Sequence, residues 1–156
     1  MRLSERLMDN GIIINSACKT KPEILREMVD VLIEAFSLKH RDEILEAVLT
    51  REKTKSTGIG CGLAVPHAKV DYVDRMCMVA AIVKDGIEFD TLDKEPVYLL
   101  MLIVSPSNTV GPHIKALSSV ARIMADADVR NDLIRAKTPA EFLGLLREAE
   151  DKYLTL

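Results

Sequence analysis

Three histidines, His40, His67 and His113, stand among 21 Lys and Arg and 24 Asp and Glu residues in this 156-residue chain. Histidine is the side chain whose ordinary charge change lies near neutral pH, so polar chemistry is sought there first. His67 directly follows Pro66, which fixes its own φ and restricts Val65, so the backbone approaching His67 is stiff. A nucleophilic imidazole must present one defined nitrogen while a hydrogen bond holds the other, and a rigid strand end suits that task. The plainer alternative is an ordinary hydrogen-bonded histidine. His113 comes just after Gly111-Pro112, at the start of an expected helix. The first-turn N–H groups there lack partners and the helix dipole favours an anion, so His113 could donate to a bound phosphate. His40, between Lys39 and Arg41-Asp42, reads as solvated surface.

Arg51 precedes a glycine-rich stretch, Ser56-Thr57-Gly58-Ile59-Gly60-Cys61-Gly62. Its guanidinium could grip phosphate oxygens in a bidentate geometry that lysine cannot copy, or simply interact with the C-terminal dipole of a helix. Ser56 and Thr57 could donate hydroxyl hydrogen bonds to the same anion, or stabilise the turn. Gly58, Gly60 and Gly62 leave backbone N–H groups unshielded, so a backbone anion nest is plausible. The alternative is a connection that needs left-handed backbone. No Gly-Lys-Ser/Thr closes a P-loop, and Leu63 stands where a dinucleotide fingerprint needs glycine. A zinc site of Cys61, His67 and His113 lacks a fourth ligand, so no metal and no cofactor are expected. Cys61 as a hydrolase nucleophile with a histidine base is set aside with it.

The elements that must position these residues alternate. Thr20 with Pro22 and Glu23 reads as a cap, a first-turn proline and a capping-box partner, opening a helix whose apolar face runs from Ile24 to Phe36. A second helix is expected over about 41–52, then a loop from Lys53 to Gly62. Leu63-Ala64-Val65 reads as a short strand stopped by Pro66, and Met76 to Val83 as a strand followed by an Asp85-Gly86 turn and a short strand at Ile87-Glu88-Phe89. Val97 to Val104 is the clearest strand, ended by Ser105-Pro106. Helices are expected from about His113 to Met124, from Asp128 to Arg135, and after Thr138, where the cap-proline-glutamate pattern recurs. Continuous apolar strands between helical segments imply an α/β fold: a three-layer α/β/α sandwich with a mixed β-sheet flanked by helices.

Composition bounds the remaining choices. With 48% hydrophobic and 29% charged residues the chain is not disordered, and 1–156 reads as a single domain. A net charge of −3 without a basic stripe argues against nucleic acid as a partner. No apolar run approaches a membrane span or a signal-peptide core, so no direct membrane insertion is expected. Cys18, Cys61 and Cys77 form no C-x-x-C pair and read as free thiols in a reducing compartment, which makes a cytoplasmic location the expectation.

Glu52, six residues, Ile59-Gly60, two residues, then Leu63-Ala64-Val65-Pro66-His67-Ala68 resembles the phosphorylation-site motif of the IIA proteins of the bacterial phosphotransferase system, of the mannitol/fructose type that includes the nitrogen-regulatory branch. Ser56-Thr57-Gly58-Ile59-Gly60, Phe89-Asp90-Thr91-Leu92-Asp93 and His113-Ile114-Lys115-Ala116-Leu117 resemble further family segments in the expected order. The family fold, a mixed sheet between helix layers, agrees with the pattern read above. Ala68 stands where glycine is commonest in the family. The resemblance implies that His67 accepts a phosphoryl group through Nε2 from the histidine phosphocarrier protein, that His113 contacts it, and that Arg51 helps bind it. It also implies delivery to a IIB domain, or else regulation of a protein target. A chain without IIB or membrane IIC domains, carrying the Ser-Thr-Gly-Ile-Gly form, leans toward the nitrogen-regulatory branch. The runner-up reading is a non-catalytic binding module whose His67 phosphorylation state controls a kinase, transporter or transcription regulator.

Overall fold

A computed structural model describes residues 1–154. Two long helices lie in about the first third of the chain, α1 (Lys21–Ala35) and α2 (Arg41–Thr54). Thr20 caps α1, its side chain accepting from the Glu23 N–H, as the sequence pattern predicts. Three further helices close it, α3 (Gly111–Met124), α4 (Ala127–Ile134) and α5 (Pro139–Tyr153), and Thr138 caps α5 by accepting from the Glu141 N–H.

Between the helix groups lies a six-stranded mixed sheet: β1 (Ile12–Ile13), β2 (Gly58–Gly60), β3 (Leu63–Ala64), β4 (His67–Val70), β5 (Cys77–Ile87) and β6 (Val97–Pro106). Its order is β1-β5-β6-β3-β2, with β4 also on β6. β5 and β6 run antiparallel, whereas β1 on β5 and both β3 and β4 on β6 run parallel. Alternation along the central strands divides the core in two. Leu99, Met101 and Ile103 of β6 join Met78, Ala80 and Ile82 of β5 under α3 and α5, through Ala116, Val120, Phe142 and Leu146. Leu100, Leu102 and Val104 join Val79, Ala81 and Val83 under α1 and α2, through Leu25, Met28, Ile44 and Val48. Helices thus cover both faces, which explains why β5 and β6 are apolar without interruption.

Four local expectations are corrected. The stretch expected to be loop contains β2, paired antiparallel with β3. The strand expected to stop at Pro66 resumes: Leu63 pairs with Leu99 and His67 with Ile103, so β3 and β4 are one line along β6, interrupted where proline offers no N–H. His67 therefore opens a strand instead of ending one. Asp85-Gly86 is no turn between two strands either, since β5 runs through it to Ile87 with a register irregularity. Gly86 adopts φ +79° beneath Tyr98, and a Cβ there would lie 2.9 Å from the ring. Finally, β6 includes Ser105 and Pro106, where the sequence suggested an end.

Candidate functional site

The register of β4 decides which of its residues face the protein. Ala68 and Val70 pack under α1 and α2, so the alternate residues His67 and Lys69 point to the other side. On β6, Ser105 shares the α3-side face with Leu99, Met101 and Ile103, and the first turn of α3 brings His113 against it. The last turns of α2 supply Thr50 and Arg51. These elements enclose an open pocket of about 600 Å³, lined by Arg51, His67, Lys69 and His113 with Ala47 and Leu117 as apolar walls.

Inside it the two histidines meet edge to face, their ring centroids 5.3 Å apart and their planes at 61°. Nδ1 of His67 lies 2.8 Å from the Val65 carbonyl oxygen. A carbonyl can only accept, so Nδ1 carries the proton and Nε2 is left with a lone pair. Burial lowers the His67 pKa below its usual value, and the nearby Arg51 guanidinium adds to the effect against the bond to Val65. His113 is 5% exposed, and its Nδ1 is 2.8 Å from the Ser105 hydroxyl. Burial, then the neighbouring His67 and Lys69, push its pKa down to about 4. Both imidazoles are thus neutral at neutral pH. Arg51 donates through one terminal nitrogen to the Lys55 carbonyl at 2.9 Å, which closes the end of α2. One hydrogen bond leaves most of the five guanidinium donors uncommitted.

The structure does not bring Ser56 and Thr57 into this pocket. The Ser56 hydroxyl donates to the Phe89 carbonyl at 2.8 Å and accepts from the Gly58 N–H at 3.1 Å. The Thr57 hydroxyl donates to the buried Glu52 carboxylate at 2.6 Å, and the Thr57 N–H does so at 2.8 Å. Lys21 pairs with the same carboxylate at 2.7 Å. The glycine stretch folds as the β2–β3 hairpin, with Gly60, Cys61 and Gly62 all at positive φ. Its Cys61 N–H donates to Asp93 Oδ2 at 2.9 Å, so the nest already holds a carboxylate of the same chain. That bond, with those from the Glu95 N–H and the Thr91 hydroxyl, keeps the Asp93 pKa below the usual carboxylate range. Cys61 sits on that turn and not among the pocket residues. His40 is a surface residue, paired with Glu43 at 3.1 Å and stacked on Tyr72 with ring centroids 4.6 Å apart.

Lys69 and Ser105 are pocket-side residues that the sequence reading passed over. The spacing of Lys69, two positions after His67 in a strand, was the available signal. Ser105 had none, because its meeting with His113 depends on how α3 docks against β6. A second cavity of similar size lies beside Phe36, His40, Tyr72 and Arg75, but its ring and cation are engaged: His40 with Tyr72 and Glu43, Arg75 over the Phe36 ring. Uncommitted nitrogen atoms converge in the His67 pocket instead. Such a set, one lone pair ringed by neutral and cationic donors, suits transfer of a phosphoryl group, whose loose transition state needs an in-line nucleophile and stabilised equatorial oxygens.

Residues 6–149 match the model of the family described as phosphoenolpyruvate-dependent sugar phosphotransferase system, EIIA 2. The fructose-specific EIIA component of Haloferax volcanii is 33% identical over 129 residues, covering 83% of this chain and 84% of that protein. The fructose-specific EIIABC component of Bacillus subtilis is 32% identical over 148 residues, covering 95% of this chain, which spans only 23% of that longer relative. Among solved structures, the nitrogen regulatory protein IIA-Ntr of Neisseria meningitidis superposes with a TM-score of 0.86 at 26% identity, over 92% of this chain and 98% of that one. Enzyme IIA mannitol of Escherichia coli, solved in complex with phosphorylated enzyme IIB mannitol, gives 0.79 at 26% identity, over 91% and 97% of the two chains.

Proposed function

This chain belongs to the EIIA 2 family of the phosphoenolpyruvate-dependent sugar phosphotransferase system, and on that premise we propose that it carries a phosphoryl group on Nε2 of His67. The observation that carries the reading is the 2.8 Å contact between His67 Nδ1 and the Val65 carbonyl, which leaves Nε2 as the free nucleophile beside Arg51, Lys69 and His113. The donor is the histidine phosphocarrier protein. As the lone pair of Nε2 approaches, the donor's P–N bond breaks and a new P–N bond forms; the electron pair of the broken bond returns to the donor's imidazole. Arg51 and Lys69 offset the charge on the three equatorial oxygens, and His113 donates a hydrogen bond to them. Arg51 acts here by bidentate contact, with the remaining donors of its guanidinium. The phosphohistidine bond is labile enough to pass the group onward. The next acceptor is a IIB domain, a role supported by the complex solved for the mannitol relative.

A second reading has its own support in the fold match to the nitrogen regulatory protein of Neisseria meningitidis. In that reading the phosphorylation state of His67 controls binding to a regulatory target such as a kinase, transporter or transcription regulator. The two share the phosphorylation of His67 and differ in the fate of the phosphorylated protein. Incubation with enzyme I, phosphocarrier protein and labelled phosphoenolpyruvate labels the wild type and leaves His67→Ala unlabelled. Label retained by that variant at the wild-type level overturns the assignment. A pull-down comparing His67→Ala with His67→Asp then separates the readings, since a target that discriminates between them favours regulation.

A further inference from the structure

Both histidines of the pocket have their Nδ1 atoms tied down at 2.8 Å, but to chemically different partners. The partner of His67 is a carbonyl oxygen, which can only accept. The partner of His113 is the hydroxyl of Ser105, which can accept or donate. Two arrangements of neutral His113 satisfy the observed contact. In one, Nδ1–H donates to Oγ, and the hydroxyl's own proton must find another acceptor. Ser105 is fully buried, and among the described residues its Oγ makes no hydrogen bond other than that to His113. A buried hydroxyl donor without an acceptor is disfavoured. In the other, Oγ–H donates to Nδ1, every buried group is paired, and the imidazole proton lies on Nε2. The imidazolium form would strand the hydroxyl proton as well, and the low pKa of His113 disfavours it independently.

We propose that Ser105 is a positioning residue that holds His113 as the Nε2–H tautomer, opposite to the Nδ1–H tautomer imposed on His67 by the Val65 carbonyl. The pair is then complementary: one ring offers a lone pair to phosphorus, the other an N–H to a phosphoryl oxygen. With its proton on Nδ1 instead, His113 would turn a lone pair toward those anionic oxygens and repel them. His113 keeps its proton throughout; the bonds made and broken are the two P–N bonds of the transfer. The functional consequence rests on the reading of His67 as phosphoryl acceptor, whereas the tautomers belong to the unphosphorylated protein and are measured without any transfer.

Long-range proton–nitrogen NMR spectra of the ¹⁵N-histidine-labelled, unphosphorylated protein test it. In the wild type the spectra show His113 protonated on Nε2 and His67 on Nδ1. Ser105→Ala, a near-isosteric change, redistributes His113 between its tautomers and slows phosphoryl acceptance by about tenfold, while Ser105→Thr, which restores a hydroxyl, recovers both. His113 protonated on Nδ1 in the wild type, or a Ser105→Ala protein with unchanged tautomer and unchanged rate, overturns the inference. Label retained by His67→Ala overturns the acceptor assignment instead and leaves the tautomer result standing.

Discussion

The His67 pocket and the glycine hairpin both carry hydrogen-bond donors, and both read from the sequence as places for an anion. Their polar atoms meet different fates. In the hairpin, the Cys61 N–H is bound to Asp93, the Ser56 hydroxyl to Phe89, and the N–H and hydroxyl of Thr57 to Glu52. In the pocket, each histidine is tied at Nδ1 only, which leaves its Nε2 without a protein partner among the described residues, and Arg51 retains most of its donors. An internal hydrogen bond that satisfies a group removes it from chemistry with an external ligand. Under the proposed function, the free nitrogens of the pocket are the groups that act on phosphate, and the paired groups of the hairpin hold the folded loop in place.

The hairpin's scaffold role is broken most severely at Glu52. Its buried carboxylate binds Lys21 at 2.7 Å and both polar groups of Thr57, while Lys21 also reaches the Phe89 carbonyl at 3.3 Å. Removing one partner of a buried pair typically costs about 3–5 kcal/mol, so Glu52→Ala should lose that much in urea unfolding. A variant as stable as the wild type but unable to accept phosphate would move Glu52 from the scaffold to the chemistry.

The pocket has its own stability signature, which runs through pH. The folded-state pKa of His113 is depressed from its ordinary 6.5 to about 4. Between those values the unfolded chain binds a proton that the folded protein refuses, so stability is greatest above pH 6.5 and falls as pH drops toward 4. A shift of that size corresponds to about 3 kcal/mol, and the downward shift of His67 acts in the same direction. Urea midpoints measured across this window should fall less steeply for His113→Gln than for the wild type. Equal slopes would mean that His113 takes up its proton in the folded protein as readily as in the unfolded chain.

How much of this contrast was legible beforehand depends on the range of the interaction. The caps at Thr20 and Thr138 are written in four consecutive residues each, and the three-layer fold in the unbroken apolar runs of β5 and β6. β2 escaped because three residues with two glycines carry no pattern, and β4 because Pro66 reads as a stop when the partner strand is unknown. The motif marked His67, His113 and Arg51 as a group. Hydroxyl chemistry alone left Ser56 and Thr57 open between phosphate and turn, because the acceptors that engage them become neighbours only on folding. Ser105 was invisible for the same reason.

Arg51 has a foot in both the scaffold and the pocket, since one nitrogen closes α2 and the residue lines the pocket. Arg51→Lys keeps the charge and loses the fork. Phosphoryl acceptance should slow by about tenfold, the equivalent of one charge-assisted hydrogen bond, with little change in unfolding midpoint. Unchanged kinetics with lowered stability would place Arg51 wholly in the scaffold.

The smallest expected effect on labelling is the most discriminating. Ser56 is the residue on which the sequence reading and the geometry differ most directly: the one allows its hydroxyl to donate to phosphate, the other gives it to Phe89. Deleting that hydroxyl leaves the Phe89 carbonyl with its contact from Lys21 but takes away the oxygen to which the Gly58 N–H donates at 3.1 Å. The loss in Ser56→Ala should then be that of two neutral hydrogen bonds, about 1–2 kcal/mol, with the labelling rate unchanged. Slower labelling at unchanged stability would reverse the assignment, because a hydroxyl that matters only when phosphate arrives cannot be holding the folded loop.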